Sequence, residues 1–246
     1  FGKMKILVIG ESCKDIFHYG KCERLCPEAP VPVFNSVRTV DNGGMAMNVY
    51  RNLVSLGAGV DVVTNDNWED ISKTRFVDIR TNHMFMRLDQ NDDEYGTFDR
   101  EKVNFDKYDA IIVSDYNKGF LSEGDLRFIS NQCPVTFLDT KKRLSSWTTG
   151  FSFVKINNHE FENTKDTITE NMLKNIIITR GPRGCEFNEK TYSVDMVEVK
   201  DTSGAGDTFV ASLCFKYCLT KDIDASIHFA NNCSTKVVQK MGVATL

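Results

Sequence analysis

The chain has 246 residues, of which 41% are hydrophobic and 26% are charged, so it is long enough for one domain with a sizeable core. The net charge is -4, from 30 basic and 34 acidic residues without a basic block, which gives no electrostatic case for a nucleic-acid partner. No apolar stretch reaches membrane-spanning length, and the opening FGKMKILVIG turns straight into a strand pattern without a signal peptide. We therefore expect a cytoplasmic protein that binds small molecules and neither nucleic acid nor a membrane.

The first third of the chain combines a buried strand, a proline-rich segment and a helix. KILVIG (5–10) is a continuous apolar run that ends in glycine, which is typical of a buried parallel strand. PEAPVPVF contains three of the five prolines, so it belongs at a sheet edge or in a lid. The pattern in 43–58 predicts a helix that ends near Gly57.

A hairpin follows this helix. TRFVDIR (74–80) and MFMRLD (84–89) are strand-like and are separated by Thr-Asn-His. With the extended segment upstream, they predict a small β lid formed by about 31–40 and 73–89.

From residue 109 onward, short apolar runs alternate with helix-like segments. The runs are DAIIVSD, VTFLD, FSFVKIN and NIIITRG, and Asp or Asn ends each of the first three. Two helices, at 207–219 and about 222–240, close the pattern. The alternation predicts an α/β fold, a doubly wound and mostly parallel sheet that binds ligands at the carboxyl ends of its strands. We expect a single domain over 1–246.

The segment DTSGAGDTF (201–209) combines a glycine-rich turn with the start of an apolar helix. Glycines that lead into a helix expose backbone N–H groups at the positive end of its dipole, which makes a cradle for an anion. A carboxylate there suits a base that takes the proton of a hydroxyl attacking a bound phosphorus. The alternative is that Asp207 only caps the helix and Asp201 only ends a strand. The residues alone leave both open.

DTSGAGDTF is similar to the DTxGAGD signature of the ribokinase-like (PfkB) sugar kinases. Three further elements match this family in its order, namely the glycines and Asn48 of a helix start, Asn157-x-x-Glu160, and TRGPRG (179–184). On these matches the chain is identified as a member of the family. The resemblance implies a ribokinase-like kinase domain that uses ATP and Mg²⁺, with K⁺ as a candidate third cofactor.

Four stretches, YGKCERLCPEAPVPVF, SDYNKG, RLD and FANN, narrow the resemblance to the heptose 7-phosphate kinases of ADP-heptose synthesis. This subgroup phosphorylates the anomeric hydroxyl of the sugar phosphate to give a 1,7-bisphosphate, an intermediate for lipopolysaccharide cores. It implies a homodimer through the β lid and a nucleotidyltransferase in the same pathway. The alternatives are a fructokinase-like or ribokinase-like enzyme and a degenerate protein that binds nucleotide or sugar without catalysis.

The resemblance also implies a role for each matched residue. Asp207 is the general base, and the anion hole comprises Gly204, Ala205 and Gly206. The sugar contacts are Asp15, Gly43, Gly44 and Asn48. The nucleotide side comprises Asn157, Glu160, Thr179, Arg180, Gly181, Gly184, Ala230 and Asn231. Glu160 would hold Mg²⁺ through water, and Asp201 is a candidate ligand for the monovalent cation.

A sugar phosphate also requires a cation for its own phosphate, and Lys118, Arg87 and Lys141 are the candidates. Each role has a structural alternative, and in particular Asn157 and Glu160 would suit the cap of the following helix. Against the family pattern, the chain lacks a βα unit before residue 73 and the closing helix. It also has Glu11 where the family has aspartate and Ile156 where it has proline. The non-catalytic alternative rests on these differences.

Overall fold

The computed structural model describes residues 4–246, so residues 1–3 of the predicted domain lie outside it. Within this range the larger sheet has eight strands in the order β12-β11-β10-β9-β8-β7-β1-β4. Their bounds are β1 Lys5–Gly10, β4 Gly59–Val63, β7 Ala110–Asp115, β8 Thr136–Thr140, β9 Phe153–Asn157, β10 Ile176–Thr179, β11 Cys185–Phe187 and β12 Lys190–Tyr192. Neighbouring strands among β4, β1, β7, β8, β9 and β10 pair in parallel. At the opposite edge of the sheet, β11 and β12 pair antiparallel.

Helices cover both faces of this sheet. They are α1 Gly44–Ser55, α2 Glu123–Ile129, α3 Asn158–Glu162, α4 Glu170–Leu173, α5 Ala205–Thr220 and α6 Ile223–Val237. Alternate residues of β1 face opposite ways, so Ile6 and Val8 pack with α1, α5 and α6, while Leu7 and Ile9 pack with α2 and α4. The two cores confirm the predicted doubly wound sheet. At the end of α1, Val54 is 49% exposed and lies outside the core.

A second sheet of four strands has the order β3-β2-β5-β6. Its strands are β2 Lys14–Leu25, β3 Pro32–Asn42, β5 Ser72–Asp78 and β6 Met84–Gln90. The hairpin of β5 and β6 is the predicted one. The sequence-based boundaries of the lid were incomplete, because β2 forms the centre of this sheet, antiparallel to β3 and parallel to β5. We refer to these four strands as the small sheet.

The ends of the parallel strands carry the polar residues that the sequence pattern predicted. Asp115 ends β7 and Asn157 ends β9 as predicted, whereas Asp139 lies one residue before Thr140, the end of β8. Thr179 ends β10 at the same edge of the sheet. In the described residues, every cysteine is free, and no helix is long and apolar enough to cross a membrane.

Gly10 allows β1 and β7 to approach each other beside the site. A Cβ atom at this position would lie 1.9 Å from the Ser114 carbonyl oxygen. We expect Gly10→Ala to lower the free energy of unfolding by at least about 1–3 kcal/mol, the usual cost of overpacking. Urea denaturation followed by circular dichroism measures it. Gly124→Ala is the control, because its nearest neighbour, Ser122 Oγ, lies at 3.6 Å. Equal stability of the two variants would contradict the prediction.

Candidate active site

A polar cleft of about 530 Å³ opens at the carboxyl ends of β8, β9 and β10, against the start of α5. Its walls include Asp139, Lys155 and Asp207. An apolar cavity of about 340 Å³ lies beside it, bounded by Val197, Phe209 and the α6 residue Asn231. The cleft and the cavity share Thr179, Gly181 and Gly206, so they form one continuous site. Both volumes fall in the range of small-molecule sites.

Asp207 is buried, with 5% exposure, in the first turn of α5. Its two carboxylate oxygens accept hydrogen bonds from Asn48 Nδ2 at 2.9 Å and from the Tyr116 hydroxyl at 3.0 Å. The cap of α5 is Gly204, which makes no side-chain cap bond, so Asp207 is not the N-cap. The structural alternative for this aspartate is therefore wrong. The carboxylate is held by α1 and by the segment after β7.

Burial raises the pKa of the Asp207 carboxyl from 3.8 to about 6, and the nearby Asp139 charge adds to the rise. The Asn48 hydrogen bond and the Lys155 charge act in the opposite direction. The Tyr116 hydroxyl remains a donor, because burial and the Asp207 charge raise its pKa well above 10. Asp207 thus titrates just below neutral pH, where a proton acceptor is most effective.

The glycine turn that precedes α5 leaves backbone N–H groups free. Gly204 has φ +78, a left-handed conformation that glycine adopts without strain. Ala205 donates its N–H to the Thr202 carbonyl at 3.2 Å, so this one of the three predicted anion-hole donors is already used. Among the described residues, no acceptor is present for the N–H groups of Gly204, Gly206 and Asp207. These donors lie at the positive end of the α5 dipole.

Lys155 projects from the middle of β9 into the cleft and is 4% exposed. Its ammonium donates to Asp139 Oδ2 at 3.0 Å. The other carboxylate oxygen, Oδ1, is buried and has no partner among the described residues. A Cβ atom on Gly206 would lie 2.8 Å from Lys155 Nζ, so the amine sits directly over the glycine turn.

Asn157 and Glu160 form a capping box at the start of α3. Asn157 Oδ1 accepts the Glu160 N–H at 2.8 Å, and Glu160 Oε2 accepts the Asn157 N–H at 2.7 Å. Lys141 donates to the remaining oxygen of Glu160. Both Glu160 oxygens are thus engaged, and no cluster of metal-binding side chains occurs in residues 4–246. The predicted contact of Glu160 with Mg²⁺ runs through water, and it stays a prediction.

Lys141, expected near the phosphate of the sugar, lies instead in the cleft, with its ammonium 5.5 Å from the centre of the Tyr116 ring. Across the cleft, Thr179 ends β10, and Arg180 binds Asn158 and, at 2.7 Å, Glu186. Gly181 lines the cleft with φ +56.

Gly184 has φ +81, and a Cβ there would lie 1.9 Å from the Tyr192 carbonyl oxygen, so only glycine fits the turn before β11. The two predicted residues of α6 separate. Asn231 lines the apolar cavity and donates to the Tyr192 carbonyl at 3.1 Å. Ala230 is fully buried in the core behind the cavity wall. The predicted role of Ala230 on the nucleotide side stays a prediction.

Asp201 organises the turn before α5. One carboxylate oxygen accepts the Ser203 N–H at 2.8 Å, and the other accepts the Gly242 N–H at 3.1 Å. Asn82 also approaches this second oxygen, at 3.5 Å. Donors occupy both oxygens, so the geometry adds nothing to the predicted cation role.

Asp15 and the glycines at the start of α1 form the wall beneath the small sheet. A Cβ on Gly44 would lie 3.4 Å from the Asp15 Cβ, and Gly44 has φ +53. Gly43 is the N-cap of α1, and its carbonyl accepts the Cys13 N–H at 3.2 Å. Asp15 is buried and paired with Arg75, a residue that the sequence reasoning missed. Burial raises the pKa of the Asp15 carboxyl, against the positive charges of Arg75, Lys73 and Arg87.

These cations lie together on one face of the small sheet. Arg75 and Arg87 are direct cross-strand partners, and Arg87 donates to Asp89 at 2.8 Å. Lys118 and Lys73 share the two oxygens of Asp92, at 2.6 and 3.1 Å. The structure therefore brings Arg87 to Asp15 and holds Lys118 beside the same strands.

Glu11 does not reach toward this wall. Its buried carboxylate accepts the backbone N–H groups of Tyr116 at 2.8 Å and Lys118 at 3.0 Å. Burial and the Asp115 charge raise its pKa. Glu11 thus fixes the segment that carries Tyr116 to Asp207.

Comparison with known proteins bears on the family to which this chain belongs. The family model described as "pfkB family carbohydrate kinase" matches residues 121–246, which include the glycine turn and the cleft residues other than Tyr116. The chain belongs to the pfkB family of carbohydrate kinases. The predicted family is therefore confirmed.

Curated relatives extend the match over almost the whole chain. The Bifunctional protein HldE of Helicobacter acinonychis is 30% identical over 98% of this chain and 64% of that protein. The Bifunctional protein HldE of Campylobacter curvus is 29% identical over 99% of this chain and 63% of that protein. The chain therefore spans less than two thirds of the length of these relatives.

Solved structures confirm the ribokinase-like fold. Ribokinase from Thermotoga maritima has a TM-score of 0.69 and 16% identity, covering 98% of this chain and 94% of that chain. Arabidopsis thaliana ribokinase, complexed with ribose and ATP, has a TM-score of 0.73 and 13% identity, with the same coverage. At these identities the likeness concerns the fold alone.

Three further residues of this pfkB site escaped the sequence reasoning: Tyr116, Asp139 and Lys155. Signals for two of them were present. Asp139 ends the run VTFLD, and Lys155 is the one charged residue inside the apolar run FSFVKIN. A charge inside a buried strand is rare without a partner or a task. Tyr116 had no such signal, because its contact depends on tertiary structure.

Replacement of Asp207 by asparagine should stabilise the protein at alkaline pH. The folded pKa of about 6 exceeds the unfolded value of 3.8, so the fold penalises the charged form above pH 6 and carries no penalty below about pH 4. The unfolding free energy of Asp207→Asn minus that of wild type should therefore be about 2–3 kcal/mol larger at pH 8 than at pH 4. Urea unfolding at both pH values measures the change.

Asp61→Asn supplies a control of opposite sign. The hydrogen bond from Tyr108 and the Lys5 amine lower the pKa of the Asp61 carboxyl, so this variant should lose stability as the pH rises. A pH-independent difference between Asp207→Asn and wild type would contradict the raised pKa.

Proposed function

We propose that the chain is an ATP-dependent sugar kinase, and that its substrate is a heptose 7-phosphate. One observation carries the proposal: a buried carboxylate with a pKa of about 6 adjoins free amides at a helix N-terminus, between a cleft and a cationic sheet face. Such a carboxylate accepts a proton, while the amides bind negative charge. These are the two requirements of phosphoryl transfer to a hydroxyl.

The donor nucleotide fits the continuous site on the α5 side. The apolar cavity beside Phe209 and Asn231 suits a planar base, and the polar cleft suits the phosphates. Gly181 and Gly206 lie where the two volumes join, and the absence of side chains there lets the phosphate chain pass. Magnesium would arrive with the nucleotide and neutralise phosphate charge. This donor assignment follows from family membership and cavity shape together.

The sugar lies between Asp207 and the small sheet in this proposal. Asp15 accepts hydrogen bonds from sugar hydroxyls, and Gly44 leaves room beside it. The anomeric hydroxyl gives its proton to Asp207 as its oxygen bonds to the γ-phosphorus. The bond between that phosphorus and the bridging oxygen breaks, and its electron pair leaves with ADP. Asn48 and Tyr116 hold the carboxylate in position during this step.

The cations around Asp15 support a phosphorylated sugar. Arg75 and Arg87 are like charges opposite each other on neighbouring strands, an arrangement that is unfavourable without anions beside it. Each guanidinium donates to its carboxylate through one nitrogen, which leaves further donors for phosphate. We infer that this pair, with Lys73, binds the 7-phosphate. Lys118, through Asp92, holds Lys73 in position.

The remaining partners are proposals of the same kind. The small sheet acts as a lid and exposes Val37, Phe85, Met86 and Leu88, which supports a homodimer through this sheet. A nucleotidyltransferase acting on the product is consistent with relatives named bifunctional. A cytoplasmic location accords with free cysteines in the described residues.

Asp207→Asn tests the reaction. With ATP, Mg²⁺ and heptose 7-phosphate, the variant should lose at least about 10²-fold in kcat, because it cannot accept the proton. ATP binding, followed by calorimetry, should stay within threefold. In wild type, kcat should fall tenfold per pH unit below about pH 6, as Asp207 is protonated.

Three outcomes would count against the proposal. Near-normal turnover of Asp207→Asn would exclude it as the base. Phosphorylation of ribose or fructose, but not of heptose 7-phosphate, would leave a kinase with another substrate. ATP binding without transfer to any sugar would favour the non-catalytic alternative.

Arg87→Met tests the phosphorylated substrate. Loss of charge-assisted hydrogen bonds should raise KM for heptose 7-phosphate about 10–100-fold and leave kcat within threefold. With unphosphorylated heptose the variant and wild type should agree. Arg80→Met is the matched control, since Arg80 lies in the turn between β5 and β6, where its side chain is 64% exposed and pairs with Asp78. An equal effect on both sugars would contradict the role of Arg87.

A further inference from the structure

Lys155 and Asp139 form a buried ion pair between neighbouring strands of the main sheet. The two side chains are 4% and 8% exposed, and the ammonium donates to Asp139 Oδ2 at 3.0 Å. A buried pair stabilises a fold only when hydrogen bonds satisfy its remaining lone pairs and protons. The contacts of this pair therefore indicate whether it serves the fold.

A second ion pair at the carboxyl ends of the same sheet provides the comparison, formed by the buried Asp115 at the end of β7 and the partly buried Lys142 just after β8. Lys142 contacts both oxygens of Asp115, at 3.0 and 3.1 Å. Asp115 also accepts from the Thr140 hydroxyl at 2.6 Å and from the Asn117 N–H at 3.1 Å. This carboxylate is fully satisfied, as a structural pair should be.

The pair of Lys155 and Asp139 is not satisfied in this way. Asp139 Oδ1 is buried without a partner among the described residues. The ammonium has three donors and uses one of them on a described residue. Both groups line the polar cleft, so the unused donors lie at its wall. An incompletely satisfied pair of this kind costs stability and requires an explanation in function.

The position of the amine supplies that explanation. Lys155 Nζ lies 2.8 Å from where a Cβ of Gly206 would be, so it covers the turn whose amides are free. A cation beside the positive end of α5 is unfavourable unless an anion joins both. The amine and the amides converge on the volume in front of Asp207.

We propose that Lys155 is a further catalytic residue, whose ammonium binds the phosphoryl group as it passes from nucleotide to sugar above the Gly204–Gly206 turn. The inference rests on the proposed kinase function. The proton of the hydroxyl goes to Asp207, so Lys155 takes no part in the proton transfer. Its contribution is a fixed charge and a hydrogen bond at the oxygens where negative charge accumulates. Asp139 orients the amine.

Lys155→Met is the test, because methionine has nearly the shape of lysine without its charge. With saturating ATP, Mg²⁺ and heptose 7-phosphate, we expect kcat to fall at least about 10²-fold, the usual effect of one lost donor to a transition state. Lys142→Met is the matched control, and we expect its kcat to stay within threefold of wild type. Rates are corrected for the folded fraction, measured by circular dichroism. A kcat for Lys155→Met within threefold of wild type would overturn the inference.

The variant leaves Asp139 buried without its cation, so a second variant guards against loss of folding. Lys155→Met combined with Asp139→Leu removes both charges, a change that buried pairs often tolerate. This double variant should fold and remain as slow as the single one. Recovery of kcat to within threefold of wild type would mean that the pair serves the fold alone, and would overturn the inference.

A binding measurement separates this inference from the proposed function. If wild type phosphorylates no tested sugar, the proposed function fails, and calorimetry with ATP and ADP then decides on Lys155. We expect Lys155→Met to raise the Kd for ATP at least tenfold and the Kd for ADP less than twofold, because the amine contacts the terminal phosphoryl group of ATP. Equal changes for the two nucleotides would overturn the inference in that case.

Discussion

The structure depends on one constraint, which is that a carboxylate buried at the start of a helix must be hydrogen-bonded. Asp207 has lost most of its hydration, and water is replaced by an amide from α1 and a phenol from the segment after β7. Two segments more than 90 residues away in sequence must therefore meet α5 at one point. The Glu11 carboxylate secures one of them by holding the Tyr116 backbone. The pocket around a single acid thus specifies much of the tertiary structure.

The parallel sheet explains why the remaining polar groups gather near this acid. Strands that run in one direction place their carboxyl ends at one edge, and the residues there cannot be covered by the layers of helices. Asp139, Lys155 and Thr179 lie on adjacent strands, each within two residues of the strand's carboxyl end. Asp139 and Lys155 retain hydrogen-bonding groups without a described protein partner, and these groups are available to a ligand at this edge. The apolar cavity beside α6 extends the same edge toward a larger ligand.

The sequence predicted the elements that have a local pattern, and it missed those whose pattern depends on contacts with distant parts of the chain. Buried parallel strands such as KILVIG are continuous apolar runs, so five of them were found, whereas β4, β11 and β12 are short or at an edge. β2 was missed because its inward face carries Asp15 beside Phe17 and Tyr19, which breaks the apolar alternation. Asp207 and Asn48 came from motifs, but their mutual bond did not. Arg75 and Lys155 were missed because burial gives them their role.

The joint between the two sheets has a mechanical consequence. β1 becomes β2 through only Glu11, Ser12 and Cys13, and each is tied: Glu11 to the Tyr116 backbone, Ser12 to Asn65 at 2.9 Å, and Cys13 to Gly43 at 3.2 Å. Such a joint resists swivelling. The irregular pairing of β2 with β3 lies farther out, near Gly20 and beyond Cys22. We therefore expect the small sheet to bend rather than rotate as a rigid body. The displacement should be smallest near Asp15, next to the joint, and largest at the far ends of β2 and β3.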